Sequence, residues 1–162
     1  MSDAQPRTSV LFVCLGNICR SPAAEGVFRR LVESEGLASA LIVDSAGTSA
    51  HHVGEPADPR MRRAAEARGH ELTSRSRQVE PADFARFDLL VAMDRQNQRD
   101  LEARDPGGGA SIRLLSDFLD LEAQARRPVD VPDPYYGGAQ GFEVVLDMIE
   151  EAAPGLLAHL KT

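Results

Sequence analysis

Four short runs of β-type residues, Val10–Cys14, Leu41–Ser45, Asp88–Ala92 and Ile112–Leu115, are separated by stretches with helical periodicity, and that alternation leaves few folds open to the chain. In the first gap Ala23, Ala24, Val27, Phe28, Leu31 and Val32 recur at three- and four-residue spacing, and Gly36 follows as a stop. Asp58-Pro59 opens a second helix that carries Ala64, Ala65 and Ala67 and closes at Gly69. Gln96 to Ala103 is a shorter third. Phe142, Val145, Ile149 and Ala152 make the apolar stripe of a last one, which Pro154-Gly155 is expected to kink or break before Leu156, Leu157 and Leu160 dock again. Strands that alternate with helices pair in parallel and are covered on both faces. The expected fold is therefore α/β, a parallel sheet with helices on both sides. At 162 residues the chain suffices for one core. Neither the Asp105–Gly109 turn nor the polar loop from Gln124 reads as a linker, so residues 1–162 are expected to form a single domain.

In such sheets ligands bind beyond the carboxyl ends of the strands. The first strand ends in Cys14, within the run VLFVCLGNICRSP over residues 10–22. Ser21 and Pro22 read as N-cap and first residue of the following helix, because proline there loses only an amide that has no helical partner. The residues between are forced into a tight turn at a helix N-terminus, where unpaired N–H groups and the helix dipole favour negative charge. Gly16 and Asn17 are residue types that accept left-handed backbone angles, as a ring-like loop requires. The same field favours the thiolate of Cys14, the nucleophilic form of a cysteine. Arg20 adds planar paired donors that match two oxygens of a phosphoryl group. Leu15, Gly16, Asn17, Ile18, Cys19 and Ser21 thus form a loop for a tetrahedral oxyanion, with Cys14 placed to attack its centre. A thiol alone would read as a small buried apolar residue. The joint pattern of strand, Cys, five residues, Arg, Ser and Pro points to phosphate chemistry.

Attack on a phosphate ester needs a proton for the departing oxygen. Asp133, between Pro132 and Pro134 and followed by Tyr135 and Tyr136, is the candidate general acid. The prolines stiffen the loop that presents it, and the tyrosines can wall a cleft. A surface Asp-Pro turn with two packing aromatics is the other reading. Cys19 is either an apolar filler or a thiol close enough to capture an oxidised Cys14. His51 and His52 lie in a loop, with His51 a possible cleft-rim contact. His70 and His159 read as surface residues, and Arg60, Arg62, Arg63, Arg68, Arg75 and Arg77 as a solvated basic face. Asp94 reads as a helix cap, with a hydrogen bond beneath the site as the alternative. The net charge of −7 argues against nucleic acid as a partner. No apolar run approaches a membrane span, and the opening residues 1–6 lack a signal-peptide core. A cytoplasmic setting is therefore expected. Two cysteines are too few for a disulfide scaffold, no His or Cys pair has zinc-ligand spacing, and no metal or other cofactor is expected.

The chain resembles the low-molecular-weight protein tyrosine phosphatases. The resemblance rests on CLGNICRSP at 14–22, DSAG at 44–47, GEPADPR at 54–60, Arg77-Gln78, Met93-Asp94 and DPYY at 133–136, in this order. It implies a four-stranded sheet in the order 2-1-3-4. It further implies that Cys14 forms a phosphocysteine intermediate during hydrolysis of phosphotyrosine in protein substrates. By the same resemblance Arg20 and the loop amides hold the phosphoryl oxygens, and Asp133 serves as acid and then as base for water. Ser21 is implied to stabilise the thiolate, while Asn17 and Ser45 hold the loop's shape. Two positions depart from the family pattern. His51 stands where many relatives carry an aromatic wall, and Ser74 where many carry a histidine that supports Asn17. The rivals are a thiol-dependent arsenate reductase of the same fold and a catalytically silent phosphate-binding module. The first needs resolving cysteines downstream, and none follows Cys19. The second would be marked by loss of Cys14, Arg20 or Asp133, and all three are present.

Overall fold

The computed structural model describes residues 7–135 and 137–161. Strand β1 (Thr8–Cys14) lies at the centre of the sheet, flanked by β2 (Leu41–Gly47) and β3 (Leu89–Ala92), with β4 (Ser111–Leu114) beyond β3. All pairings are parallel and the order is β2-β1-β3-β4. The register sets Cys14 opposite Gly47 and Val13 opposite Ala92, so three strands end near the same level.

The period of two along β1 divides the core. Val10, Phe12 and Cys14 face one cluster of buried apolar side chains, and Leu11 and Val13 face the other. Residues of α1 (Arg20–Ser34), α2 (Pro59–Glu66), α5 (Leu121–Arg126) and α6 (Ala139–Leu160) belong to the first cluster. Those of α3 (Asp83–Arg86) and α4 (Arg95–Arg104) belong to the second. Phe12 and Phe28 meet edge to face at 5.8 Å, fastening α1 to β1 directly behind the loop that joins them. The fold is the expected α/β architecture with helices on both faces.

Two expectations give way. Helix α1 begins at Arg20 with Cys19 in the cap position, so Ser21 lies inside the first turn and its hydroxyl is turned to other partners. Pro22 still falls where no helical amide bond is lost. Helix α6 runs unbroken through Pro154. An interior proline costs about 3 kcal/mol. Beyond it Leu156 and Leu157 are buried, each contributing roughly 1.5–3 kcal/mol, which offsets that cost. Gly155 makes the docking possible, since a Cβ there would collide with the Phe118 carbonyl oxygen.

Candidate active site

The β1–α1 loop closes on itself because its carbonyls are drawn outward. Cys14 O accepts from Thr48 N–H (2.9 Å), Leu15 O from Ser49 N–H (2.9 Å) and Ile18 O from Asp58 N–H (2.8 Å). Gly16 O accepts from the Ser76 hydroxyl at 3.0 Å. With the carbonyls directed away, the N–H side of the loop turns inward, and Asn17 N–H lies 3.3 Å from the Cys14 sulfur. Asn17 takes the left-handed conformation at φ 55°, as its residue type allows. Gly16 does not have positive φ; what its small size permits is the approach of His52, whose Cδ2 would lie 3.0 Å from an added Cβ. Gly47 is required at the end of β2, where a Cβ would lie 2.7 Å from Leu15 O.

Cys14 is buried at the bottom of this ring, with the Ser21 hydroxyl 3.0 Å from its sulfur. Asn17 Nδ2 donates to Ser21 (2.8 Å) and to Ser45 (3.0 Å), and Asn17 Oδ1 accepts from Arg77 N–H at 3.0 Å. Ser74 does not take over the absent histidine's place beside Asn17. It faces the Glu25 carboxyl instead.

Arg20 is 4% exposed and enters the ring from the first turn of α1. Its Nη1 donates to Asp94 Oδ2 (2.7 Å) and to the Val131 carbonyl (3.0 Å), while Nη2 is 3.7 Å from Asp133 Oδ2. Burial opposes the guanidinium charge, but Cys14, Asp94 and Asp133 outweigh it and hold Arg20 above its ordinary value. Both readings of Asp94 are realised, because its Oδ1 also caps α4 through Asn97 N–H at 2.7 Å. Cys19 is buried and unoxidised beside the ring. Burial, with Asp58, Cys14 and Asp133 adding to it, pushes its thiol far up, so it remains S–H at neutral pH.

Asp133 reaches the mouth from the loop before α6, its Oδ1 accepting from Tyr135 N–H at 3.0 Å. The side chain is 41% exposed, against 4% for Arg20, so it stands at the solvent edge of the cleft. Arg60 fastens that loop: it pairs with Asp58, donates to Tyr135 O (3.2 Å) and lies over the Tyr135 ring at 5.5 Å. Cys14, Leu15, Ile18, Arg20, Asp133 and Tyr135 line one cleft together with His52. His51, the expected wall, is exposed, and it is His52 that lines the cleft, its Nδ1 3.1 Å from Glu55 and its ring 6.2 Å from Tyr135. Tyr136, also expected in the wall, falls outside the described residues.

Several other readings change. Arg77 is paired with the fully buried Asp83 and with Asp44, Arg68 with Glu143, Asp147 and Glu150, and Arg60 with Asp58, so three of the six arginines form ion pairs with acids of the fold. His70 is buried, with Nε2 2.7 Å from Glu150.

A strand that ends in a buried cysteine, followed by a tight loop that a buried arginine closes, is an arrangement suited to cysteine-dependent phosphate chemistry. The sequence model for low molecular weight phosphotyrosine protein phosphatase matches residues 9–162, and the chain belongs to that family. It is 47% identical over 154 residues to the low molecular weight protein-tyrosine-phosphatase of Streptomyces coelicolor, covering 94% of this chain and 93% of that one. To the human low molecular weight phosphotyrosine protein phosphatase it is 40% identical over 144 residues, 87% and 88% of the two chains. A crystal structure of protein tyrosine phosphatase from Entamoeba histolytica superposes with a TM-score of 0.89 at 42% identity, over 95% and 97% of the chains.

Proposed function

We propose that this protein hydrolyses phosphotyrosine in protein substrates through a phosphocysteine intermediate on Cys14. The observation that carries the reading is the ring itself: a buried sulfur held by Ser21 and Asn17, with Arg20 fixed by Asp94 on the opposite side. A phosphoryl group seated in the ring places phosphorus over the Cys14 sulfur. Its oxygens meet the loop N–H groups and the Arg20 face turned towards Asp133. The sulfur lone pair forms the S–P bond as the P–O bond to the aryl oxygen breaks, and protonated Asp133 gives that oxygen its proton. Water then loses a proton to Asp133 and attacks phosphorus. The S–P bond breaks, the thiolate returns and inorganic phosphate leaves. Ser21 assists both departures and returns of charge at sulfur, since its hydroxyl can donate there.

The exposed apolar rim of Leu15 and Tyr135 beside the cleft suits an aryl ester on a protein surface. The net charge of −7 suits a protein partner better than nucleic acid. Among the described residues no helix is long and apolar enough to cross a membrane. A reducing, cytoplasmic setting fits a nucleophile that must stay a thiolate.

The test is Cys14→Ser. Turnover of p-nitrophenyl phosphate and of a phosphotyrosine peptide should fall by roughly 10⁴-fold or more. Vanadate should still bind, because the ring and Arg20 remain. Substantial residual turnover would sink the assignment, and thioredoxin-dependent arsenate reduction by the wild type would point to the rival chemistry.

A further inference from the structure

We infer that Glu25 is a positioning residue for the phosphate loop, its carboxylate fixing the direction of the hydrogen-bond chain through Ser45, Asn17 and Ser21 that ends on the Cys14 sulfur. This rests on Cys14 being the nucleophile.

Glu25 is on α1 and only 5% exposed, an expensive place for a carboxylate without a specific partner. Its Oε2 meets Arg29 Nη2 at 2.8 Å, one turn along the same helix. Arg29 is 45% exposed, and such an i,i+4 pair forms equally well in water, so it does not account for the burial. The other oxygen, Oε1, is 2.6 Å from the Ser45 hydroxyl. Besides Arg29 and Ser45 the groups facing the carboxyl are Ser74 and, on β2, Asp44.

The hydrogens of this chain can be assigned one by one. Arg77 N–H donates to Asn17 Oδ1, so the Asn17 amide cannot turn over without setting N–H against N–H. Both Nδ2 hydrogens therefore point to Ser45 and Ser21. Ser45, accepting from Asn17, must direct its own hydrogen elsewhere, and the acceptor in line is Glu25 Oε1. Ser21, also accepting from Asn17, donates to the sulfur at 3.0 Å in preference to Ala46 O at 3.4 Å. Asn17 is thus a central donor between two hydroxyls, one pointing at the Glu25 carboxyl and the other at the Cys14 sulfur. Burial pushes the Glu25 carboxyl above its ordinary value, with Ser45 and Arg29 opposing that, but Oε1 accepts from Ser45 in either protonation state, so Glu25 sets the polarity from its end. Without it the Ser45 hydrogen has no partner, Ser45 turns, and Asn17 loses one of the bonds that hold it in a left-handed conformation.

The experiment compares Glu25→Gln, Glu25→Asp, Glu25→Ala, Ser45→Ala and the Glu25→Ala/Ser45→Ala pair, reading kcat/KM on p-nitrophenyl phosphate and Tm together. Glutamine keeps the reach and an acceptor oxygen but loses the charge. Aspartate keeps the charge and falls one methylene short. The expected kcat/KM losses are about threefold for Gln and about tenfold each for Asp, Ala and Ser45→Ala. The pair should lose about tenfold, because both substitutions break one chain, where independent sites would multiply to roughly a hundredfold. If Glu25→Ala does not fold, the cycle is run with Glu25→Asp. An Asp variant as active as Gln or better, a multiplied loss, or a lowered Tm with kcat/KM unchanged would each overturn the inference. Residual turnover in Cys14→Ser strikes the functional reading instead, so the two failures are told apart.

Discussion

Replacing Asp94 should separate two roles that one side chain fills. Its Oδ1 caps α4, and its Oδ2 holds Arg20 Nη1 at 2.7 Å. Loss of a cap costs about 1 kcal/mol. Stripping a buried charge of its partner costs about 3–5 kcal/mol when nothing replaces it. Here the Val131 carbonyl at 3.0 Å remains and Asp133 stands at 3.7 Å, so about 2–3 kcal/mol is the fitting figure for that part. Asp94→Ala should then lose about 3–4 kcal/mol, which for a chain of this size lowers Tm by roughly 6–16 °C. Asp94→Asn keeps a good cap and loses the anion, and should fall by only the charge part, about 2–3 kcal/mol. Saturating phosphate supplies Arg20 with a new counter-charge, so it should raise Tm more in both variants than in the wild type. The assay is thermal melting with and without phosphate. Equal losses in the two variants, or no extra gain from phosphate, would refute the claim that Asp94 is the partner holding Arg20.

Asp133→Ala should slow phenyl phosphate far more than p-nitrophenyl phosphate, within the roughly 10²–10⁴-fold range of positioned acids, because a good leaving group needs no proton. Equal losses on the two esters would make Asp133 a wall of the cleft only. Mild peroxide should inactivate the enzyme by oxidising the Cys14 thiolate to sulfenic acid, which the Cys19 thiol converts to a disulfide with release of water. Dithiothreitol should restore activity in the wild type and much less in Cys19→Ser; equal recovery would leave Cys19 a packing residue.

The ring was legible in the sequence because its cysteine, amides and arginine fall within seven consecutive residues, and local spacing fixes their geometry. What holds the ring was not. Thr48, Ser49 and Asp58 support it through backbone N–H groups, which every residue but proline possesses, so their side chains carry no signal. Glu25 has the composition of a solvated helix face, and the tertiary approach of β2 and of Ser74 places other groups against it. Ser21 before Pro22 resembles a cap because serine suits that place, yet tertiary contact with Cys14 and Asn17 claims its hydroxyl. Pro154 shows the same order of effects, since burial beyond it outweighs a local rule. The shift of the cleft wall from His51 to His52 depends on Glu55 and Gly16 meeting one ring and not its neighbour.

The proposed mechanism requires that phosphorus be bonded to the Cys14 sulfur during turnover. Rapid acid quench of Asp133→Ala with p-nitrophenyl phosphate, followed by peptide mass spectrometry, tests it directly, because loss of the base for water should let the intermediate accumulate. A single phosphoryl group should appear on the peptide that contains Cys14 and be absent when Cys14 is also replaced by Ser. A phosphoryl group on another residue, or turnover with no phosphorylated peptide at any quench time, would contradict it.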